Sequence, residues 1–274
     1  MSSQHRILSG RAQLAADVAG SGDPVVFLHA VVGDRRMWHA QLDAVAGTHK
    51  AIAYDRRGFG ETRAEKEDFS AVADLMAVID ALAGDTPAIL VGCSQGGRIA
   101  LDAALQHPSR IRALVLIAPS ISGAPDVVQP PEIQALLDQQ TAAQDSGDVD
   151  RLNAIRARLW LDGPLAPEGR VSGARRQLFL DMNATALRSP PVGANIDSVP
   201  AYQRLGEIRV PTLMMWGNLD FPHIQERSRH VAGMMQNATA REVPGAAHLP
   251  SLELPKDVAD LVADFAQRGP NQSA

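Results

Sequence analysis

Cysteine is nearly absent from this chain. Cys93 is the single one in 274 residues, so no disulfide can form within the chain, and a reducing, cytoplasmic setting is expected. Aromatic residues are scarce, at 4%. Basic charge is not in excess: 26 Lys and Arg stand against 31 Asp and Glu, a formal net charge of −5. No basic stripe interleaves with aromatics, which argues against a nucleic-acid partner. Uninterrupted apolar runs never approach the roughly 18 residues of a membrane span. The first residues, Met1 to Arg6, carry no apolar stretch of the secretion-signal kind. The sequons at Asn183, Asn237 and Asn271 are accordingly read as chance. Low-complexity tracts and internal repeats are also missing.

At 45% hydrophobic and 21% charged, the sequence has the balance of an ordinary soluble globular protein. Its length fits one large domain, or one domain with an insertion. Short apolar runs recur along it. Arg6–Leu8 and Gln13–Val18 read as two opening strands. Val25–Leu28, Ala51–Tyr54, Ala88–Val91, Ala113–Ala118, Thr212–Trp216 and Arg241–Val243 follow. Near-continuous apolar strands are buried on both faces, the mark of a parallel sheet between helical layers. Helical patterns fill the gaps at Met37–Ala46, Ser70–Ala83, Gln95–Gln106, Ile224–Met235 and Lys256–Gln267. Within the second, Val72, Leu75, Met76, Ile79 and Leu82 form a one-sided apolar stripe. Alternating strand and helix predicts an α/β fold with a doubly wound, mostly parallel, eight-stranded sheet.

One interval interrupts that alternation. Between Val127 and Tyr202 no strand pattern occurs, but three helices do: Glu132–Gln144, Val149–Leu161 and Arg175–Leu187. The expectation is a helical cap, residues 127–202, inserted after the sixth strand, with 1–126 and 203–274 forming the core. Arg188-Ser189-Pro190-Pro191 reads as a turn or hinge, and Gly269–Ala274 as a frayed end.

The chemistry is most legible at Gly92-Cys93-Ser94-Gln95-Gly96-Gly97. An apolar strand runs directly into Gly-x-Ser-x-Gly, and a helix begins at once, which is the context of a nucleophile elbow. Side chains at Gly92 or Gly96 would strike neighbouring backbone in so tight a turn. Ser94 would be held clear of the sheet, with the first N–H groups of the helix aimed at the same point. Cys93, beside it, reads as a small buried residue. A serine hydroxyl needs a base, and the base needs an orienting acid. In an open parallel sheet both belong on loops at the carboxyl ends of strands. Asp220, in Gly217-Asn218-Leu219-Asp220, is the expected acid, with Asp126 as the fallback. His248, in Gly245-Ala246-Ala247-His248-Leu249-Pro250, is the expected base. After the third strand, His29-Ala30-Val31-Val32-Gly33 would place the Val31 N–H with that of Gln95 as an oxyanion hole, His29 bracing the loop. Trp160, Leu161, Phe179 and Met182 are candidate cap residues for the substrate pocket, together with His29.

Taken in order, the His29-Ala30 loop, Tyr54-Asp55-Arg56-Arg57-Gly58-Phe59-Gly60-Glu61-Thr62, the Ser94 elbow, Trp216-Gly217-Asn218-Leu219-Asp220 and Gly245 to Pro255 resemble the α/β-hydrolase fold family. The likeness is to its small cap-bearing esterase, lactonase and C–C hydrolase branch, and covers nearly the whole chain outside the cap. It implies the same roles for Ser94, Asp220 and His248. Ala30 departs from the glycine usual after the oxyanion-loop histidine, which bears on the Val31 donor. The Asp55–Gly60 segment reads as a structural turn, with Arg56 and Arg57 ion-paired or solvated. The expectation is a serine hydrolase acting on a small, largely apolar ester or lactone, with neither cofactor nor metal and a small-molecule substrate as its only implied partner. The same three residues also serve diketone C–C hydrolysis and cofactor-free perhydrolase or haloperoxidase chemistry. A ligand receptor on a hydrolase scaffold is the reading from another class. Haloalkane dehalogenation is disfavoured because Ser94 stands where such relatives place aspartate.

Overall fold

The structure is a computed structural model and describes residues 2–268, so the expectation for Gly269–Ala274 lies outside the described residues. β1 (Ser3–Ser9) and β2 (Ala12–Ala19) form a hairpin through the turn at Gly10, whose φ is +51°. β3 (Pro24–Leu28) follows, then a 3-10 turn (Arg35–Trp38) leading into α1 (His39–Val45). β4 (Lys50–Tyr54), the two-residue β5 (Arg63–Ala64) and α2 (Ala71–Ala83) come next. β6 (Ala88–Cys93) leads into α3 (Gln95–Gln106), and β7 (Ile111–Ile117) completes the first half.

Eight strands form one path, β1-β2-β4-β3-β6-β7 continuing into β8 (Thr212–Gly217) and β9 (Ala238–Val243), while β5 pairs with β2 off that path. The expected eight-stranded sheet thus gains a ninth, two-residue member too short to show a period. β1–β2 and β2–β4 pair antiparallel; every later pair along the path is parallel.

Side-chain alternation divides the interior into two layers. Val26 and Leu28 of β3 join α2 and α3 on one face, with Leu75, Ile79 and Leu101. Val25 and Phe27 point the other way, toward Leu42 of α1 and Val258 and Val262 of the C-terminal helix. Both faces of β3 are therefore dry, and all five of its residues are buried. Each such side chain contributes about 1.5–3 kcal/mol by leaving water, which is why this run has no polar alternation.

Between β7 and β8 lie α4 (Pro131–Asp145), α5 (Val149–Arg156) and α6 (Gly173–Arg188). The helix expected to run unbroken to Leu161 changes pitch: Ala157–Asp162 is a π-helical turn. Such wide turns re-aim side chains, and Trp160 sits on this one. After α6 the chain returns to the core. Asn195 bridges to Phe69, Asp197 accepts from Ser70 Oγ and Val72 N–H, and Val199 and Ala201 join the layer of α2 and α3. The short α7 (Ala201–Arg204) then leads to β8. α8 (Pro222–Met234), α9 (Pro250–Glu253) and α10 (Pro255–Arg268) complete the fold. Among the described residues no helix is long and apolar enough to cross a membrane.

Candidate active site

Ser94 sits between β6 and α3 with φ +52° and ψ −115°, a backbone conformation rare for any residue with a side chain. Two close approaches enforce it. A Cβ on Gly96 would lie 2.1 Å from the Leu28 carbonyl oxygen, and one on Gly92 would lie 2.5 Å from that of Gly96. Both contacts are with backbone, so neither can relax by a rotamer change. The Ser94 N–H is tied to Ile117 O at 2.9 Å, anchoring the elbow to β7.

Asp220 follows β8 on a loop pressed against the loop that carries His248. A Cβ on Gly217 would meet Ala247 O at 2.1 Å, and Leu219 N–H donates to Ala246 O. The result is a buried pair: His248 Nδ1 lies 2.8 Å from Asp220 Oδ2, with 3% and 0% of their side chains exposed. Asp220 Oδ1 accepts the Phe221 N–H at 2.7 Å, which fixes the carboxylate plane. The pair leaves Nε2 of His248 as the free ring nitrogen. Cys93 Sγ lies 3.6 Å from His248 O, so the histidine loop touches the elbow at the residue before Ser94. Among the described residues, Ser94 Oγ and His248 Nε2 make no hydrogen bond to each other or to a third group. Hydrogen bonds between such groups often tighten only around a bound ligand. Burial, with the Asp220 and Glu253 carboxylates nearby, pushes the Cys93 thiol far up, which favours its protonated form. Asp126, the fallback acid, is exposed, and the carboxylate that meets His248 Nδ1 is that of Asp220.

His29 is fully buried. Its Nε2 accepts the Arg56 N–H at 3.1 Å, so Nδ1 carries the proton, 2.8 Å from Ala30 O. Burial, reinforced by the Arg56 cation, holds its pKa well below the ordinary imidazole value. It stands in the loop as a neutral brace, packed edge-on against Phe59. Among the described residues neither the Val31 nor the Gln95 N–H is engaged by a protein acceptor, and Val31 is 40% exposed at the loop tip.

Of the four residues expected from the insertion, Trp160 reaches the histidine: its ring centroid lies 4.7 Å from that of His248 and 4.6 Å from that of Phe221. Met182 lies against Gly33 of the loop after β3. Leu161 and Phe179 are fully buried in the seam with Val32, Met37 and Trp38. A separate cleft of about 640 Å³ lies beyond Phe221, lined by Pro125, Val127, Tyr202, His223, Arg227 and His230 among others, and includes none of the expected pocket residues.

Two residues that sequence reading passed over, Glu253 and Arg170, shape this site, and a third, Arg56, differs from its expected role. Glu253 takes the N–H groups on both sides of His248, Ala247 at 2.7 Å and Leu249 at 2.9 Å. Arg170, just before α6, donates to Glu253 and to the carbonyls of Gly245 and Leu161. Glu253 lies five residues after His248, the one signal that could have drawn attention to it. Arg56 departs from its expected role: it is buried and bonds carbonyls instead of a carboxylate. Arg57 is ion-paired as expected, to Asp74 and Glu67.

A strained serine at a strand–helix elbow and a buried His–Asp pair on the two following loops, at the carboxyl edge of a parallel sheet, define a hydrolase of the α/β class. The chain belongs to the alpha/beta hydrolase family, whose model matches residues 25–261. A pimeloyl-(acyl-carrier protein) methyl ester esterase of Yersinia enterocolitica is 26% identical, covering 93% of this chain and 98% of that protein. Among solved structures, the enol-lactonase of Burkholderia xenovorans has a TM-score of 0.76 at 19% identity, over 97% of this chain and 100% of that one. Carboxylesterase CesB of Bacillus subtilis also has a TM-score of 0.76, at 21% identity, over 98% and 93%.

Proposed function

We propose that this protein is a cytoplasmic serine hydrolase that cleaves a small, largely apolar ester or lactone through an acyl-enzyme. The observation that carries the reading is the buried 2.8 Å contact between His248 Nδ1 and Asp220 Oδ2, with the Ser94 elbow against the same loop. Ser94 Oγ attacks the carbonyl carbon while His248 Nε2 takes the hydroxyl proton. Asp220 holds the ring in the tautomer that leaves Nε2 basic, and stabilises the imidazolium once formed. The carbonyl oxygen, now an anion, accepts from the Val31 and Gln95 N–H groups, each worth roughly 10²–10³ in rate. His248 then gives its proton to the leaving alcohol. Water repeats the sequence on the acyl-enzyme, with His248 again as base. The helical insertion acts as a cap: Trp160 covers the imidazole from water and presents an apolar wall to the acyl group.

Hydrolysis of p-nitrophenyl butyrate tests the reading. Wild type should turn it over with release of nitrophenolate, and Ser94→Ala should lose at least about 10³-fold in kcat. Saturable ligand binding without turnover would instead favour a receptor.

A further inference from the structure

Arg56 has no role in the chemistry above, yet its surroundings are costly and specific. It is buried, at 8% exposure, and among the described residues forms no ion pair with a carboxylate. The adjacent Asp55 is spent on Arg35, on the Arg35 N–H and on the Glu61 N–H. Burial brings the Arg56 pKa down to about 10, which still leaves it cationic at neutral pH. Placing an unpaired cation in the interior is expensive unless its donors are well used.

Its donors are spent on the two segments that carry the oxyanion N–H groups. Nη2 donates to His29 O at 3.1 Å and to Ala30 O at 3.2 Å, and Nη1 donates to the Gln95 side-chain Oε1 at 2.8 Å. The guanidinium lies over the Phe59 ring, 4.6 Å from its centroid, and Nε has no partner. The geometry of the trans peptide then matters. The Ala30 carbonyl and the Val31 N–H belong to one planar unit and point to opposite sides. With that carbonyl held by Arg56 Nη2 together with His29 Nδ1 at 2.8 Å and the Gly33 N–H at 3.2 Å, the Val31 N–H is turned away from the guanidinium and freed for another acceptor. The Gln95 side chain is held by the same head group, while its backbone N–H opens α3. One planar, five-donor group thus ties the loop after β3 to the first residue of α3. A lysine ammonium, as a point charge, could not span the same three acceptors.

We propose that Arg56 is the positioning residue of the oxyanion hole, setting the orientation of the Val31 N–H relative to that of Gln95 and placing a fixed cation behind the site. The inference rests on the acyl-transfer reading. It adds to it a residue that acts only as charge develops on the carbonyl oxygen, so its removal lowers kcat and leaves ground-state binding in place.

The test measures kcat and KM for p-nitrophenyl butyrate in Arg56→Gln, Arg56→Lys, Gln95→Ala and the Arg56→Gln/Gln95→Ala double variant. It also measures affinity for an alkyl trifluoromethyl ketone, which forms a tetrahedral oxyanion on serine, and for the matching methyl ketone, which mimics bound substrate. Arg56→Gln should lower kcat about 10–100-fold, a fraction of the worth of the oxyanion donors it orients, with KM within about twofold. Trifluoromethyl ketone affinity should fall in proportion and methyl ketone affinity should hold. Arg56→Lys should recover only part of the rate. The double variant should be no slower than Arg56→Gln, because both changes cut one tether. An Arg56→Gln enzyme with kcat within twofold of wild type, or with both ketones weakened equally, overturns the proposal. Should Arg56→Gln fail to fold, Gln95→Ala decides alone: it keeps the backbone N–H and should lose about 3–10-fold in kcat, and an unchanged kcat overturns the proposal. Wild type without ester turnover overturns the function reading and this inference together, whereas an active wild type indifferent to Arg56→Gln overturns this inference only.

Discussion

Replacing Glu253 by glutamine should damage both stability and rate, by amounts that follow from its contacts. Its side chain is 1% exposed and accepts three donors: the Ala247 and Leu249 N–H groups and Arg170 Nη2. A glutamine at the same place has one acceptor oxygen and one NH₂ group. One of the two backbone N–H groups would then face another donor and stay unsatisfied, at about 1–3 kcal/mol. The charge-assisted bond from Arg170, whose side chain is 20% exposed, is lost as well, adding about 1–2 kcal/mol after solvent screening. Urea unfolding should therefore show Glu253→Gln destabilised by about 2–5 kcal/mol. The two N–H groups flank His248, so the loop that aims the imidazole also loosens, and displacement approaching 1 Å costs up to about 100-fold in rate. We expect kcat for p-nitrophenyl butyrate to fall about 10–100-fold below the unfolding midpoint. Arg170→Gln, which spares both N–H bonds, should lose less rate. A Glu253→Gln enzyme within 1 kcal/mol and twofold of wild type, taking about 1 kcal/mol as the least cost of an orphaned donor, would refute this reasoning.

Two further outcomes concern the elbow and the adjoining helix. Gly96→Ala places a methyl 2.1 Å from Leu28 O, so α3 must shift; activity should drop more than about 100-fold while stability falls about 1–3 kcal/mol, and near-wild-type turnover would mean that the elbow tolerates the displacement. Asp102, buried on α3, has its pKa pushed up to about 6 by burial, so the folded state holds its proton more tightly than the unfolded chain. That contribution is full below the unfolded carboxylate value and is lost as pH rises through about 6. Asp102→Asn should then be more stable than wild type by roughly 1–2 kcal/mol at pH 8, with the gain reduced to about a third near pH 4.5 and vanishing near pH 3; an equal gain at pH 8 and about pH 3 would contradict the assignment.

What could be read from the sequence was what periodicity and turn chemistry encode. β3, β6 and β8 are continuous apolar runs, and each was placed to within a residue or two. β9 was legible only at Arg241–Val243, because on this edge strand Val243 alone is buried and no continuous apolar run marks the rest. Gly92, Gly96 and Ser94 announced the elbow, since only glycine fits where backbone meets Cβ. Asp220 and His248 stood out because each follows a strand at the sheet's carboxyl edge. The supports of the site stayed hidden. Arg170 lies 83 residues from Glu253, and Arg56 lies 39 from Gln95, separations at which no local pattern reports a contact. The π-helical turn under Trp160 was invisible too, because a helical stripe does not show where the pitch widens.

Mass mapping of the adduct formed with an alkyl fluorophosphonate tests the central claim most directly, since phosphonylation needs the hydroxyl, the base and the oxyanion donors at one place. The account predicts a single adduct on Ser94 in wild type, formed at a rate that collapses in His248→Ala. Modification of Cys93 instead, or labelling of Ser94 at the same rate without the imidazole, would contradict it.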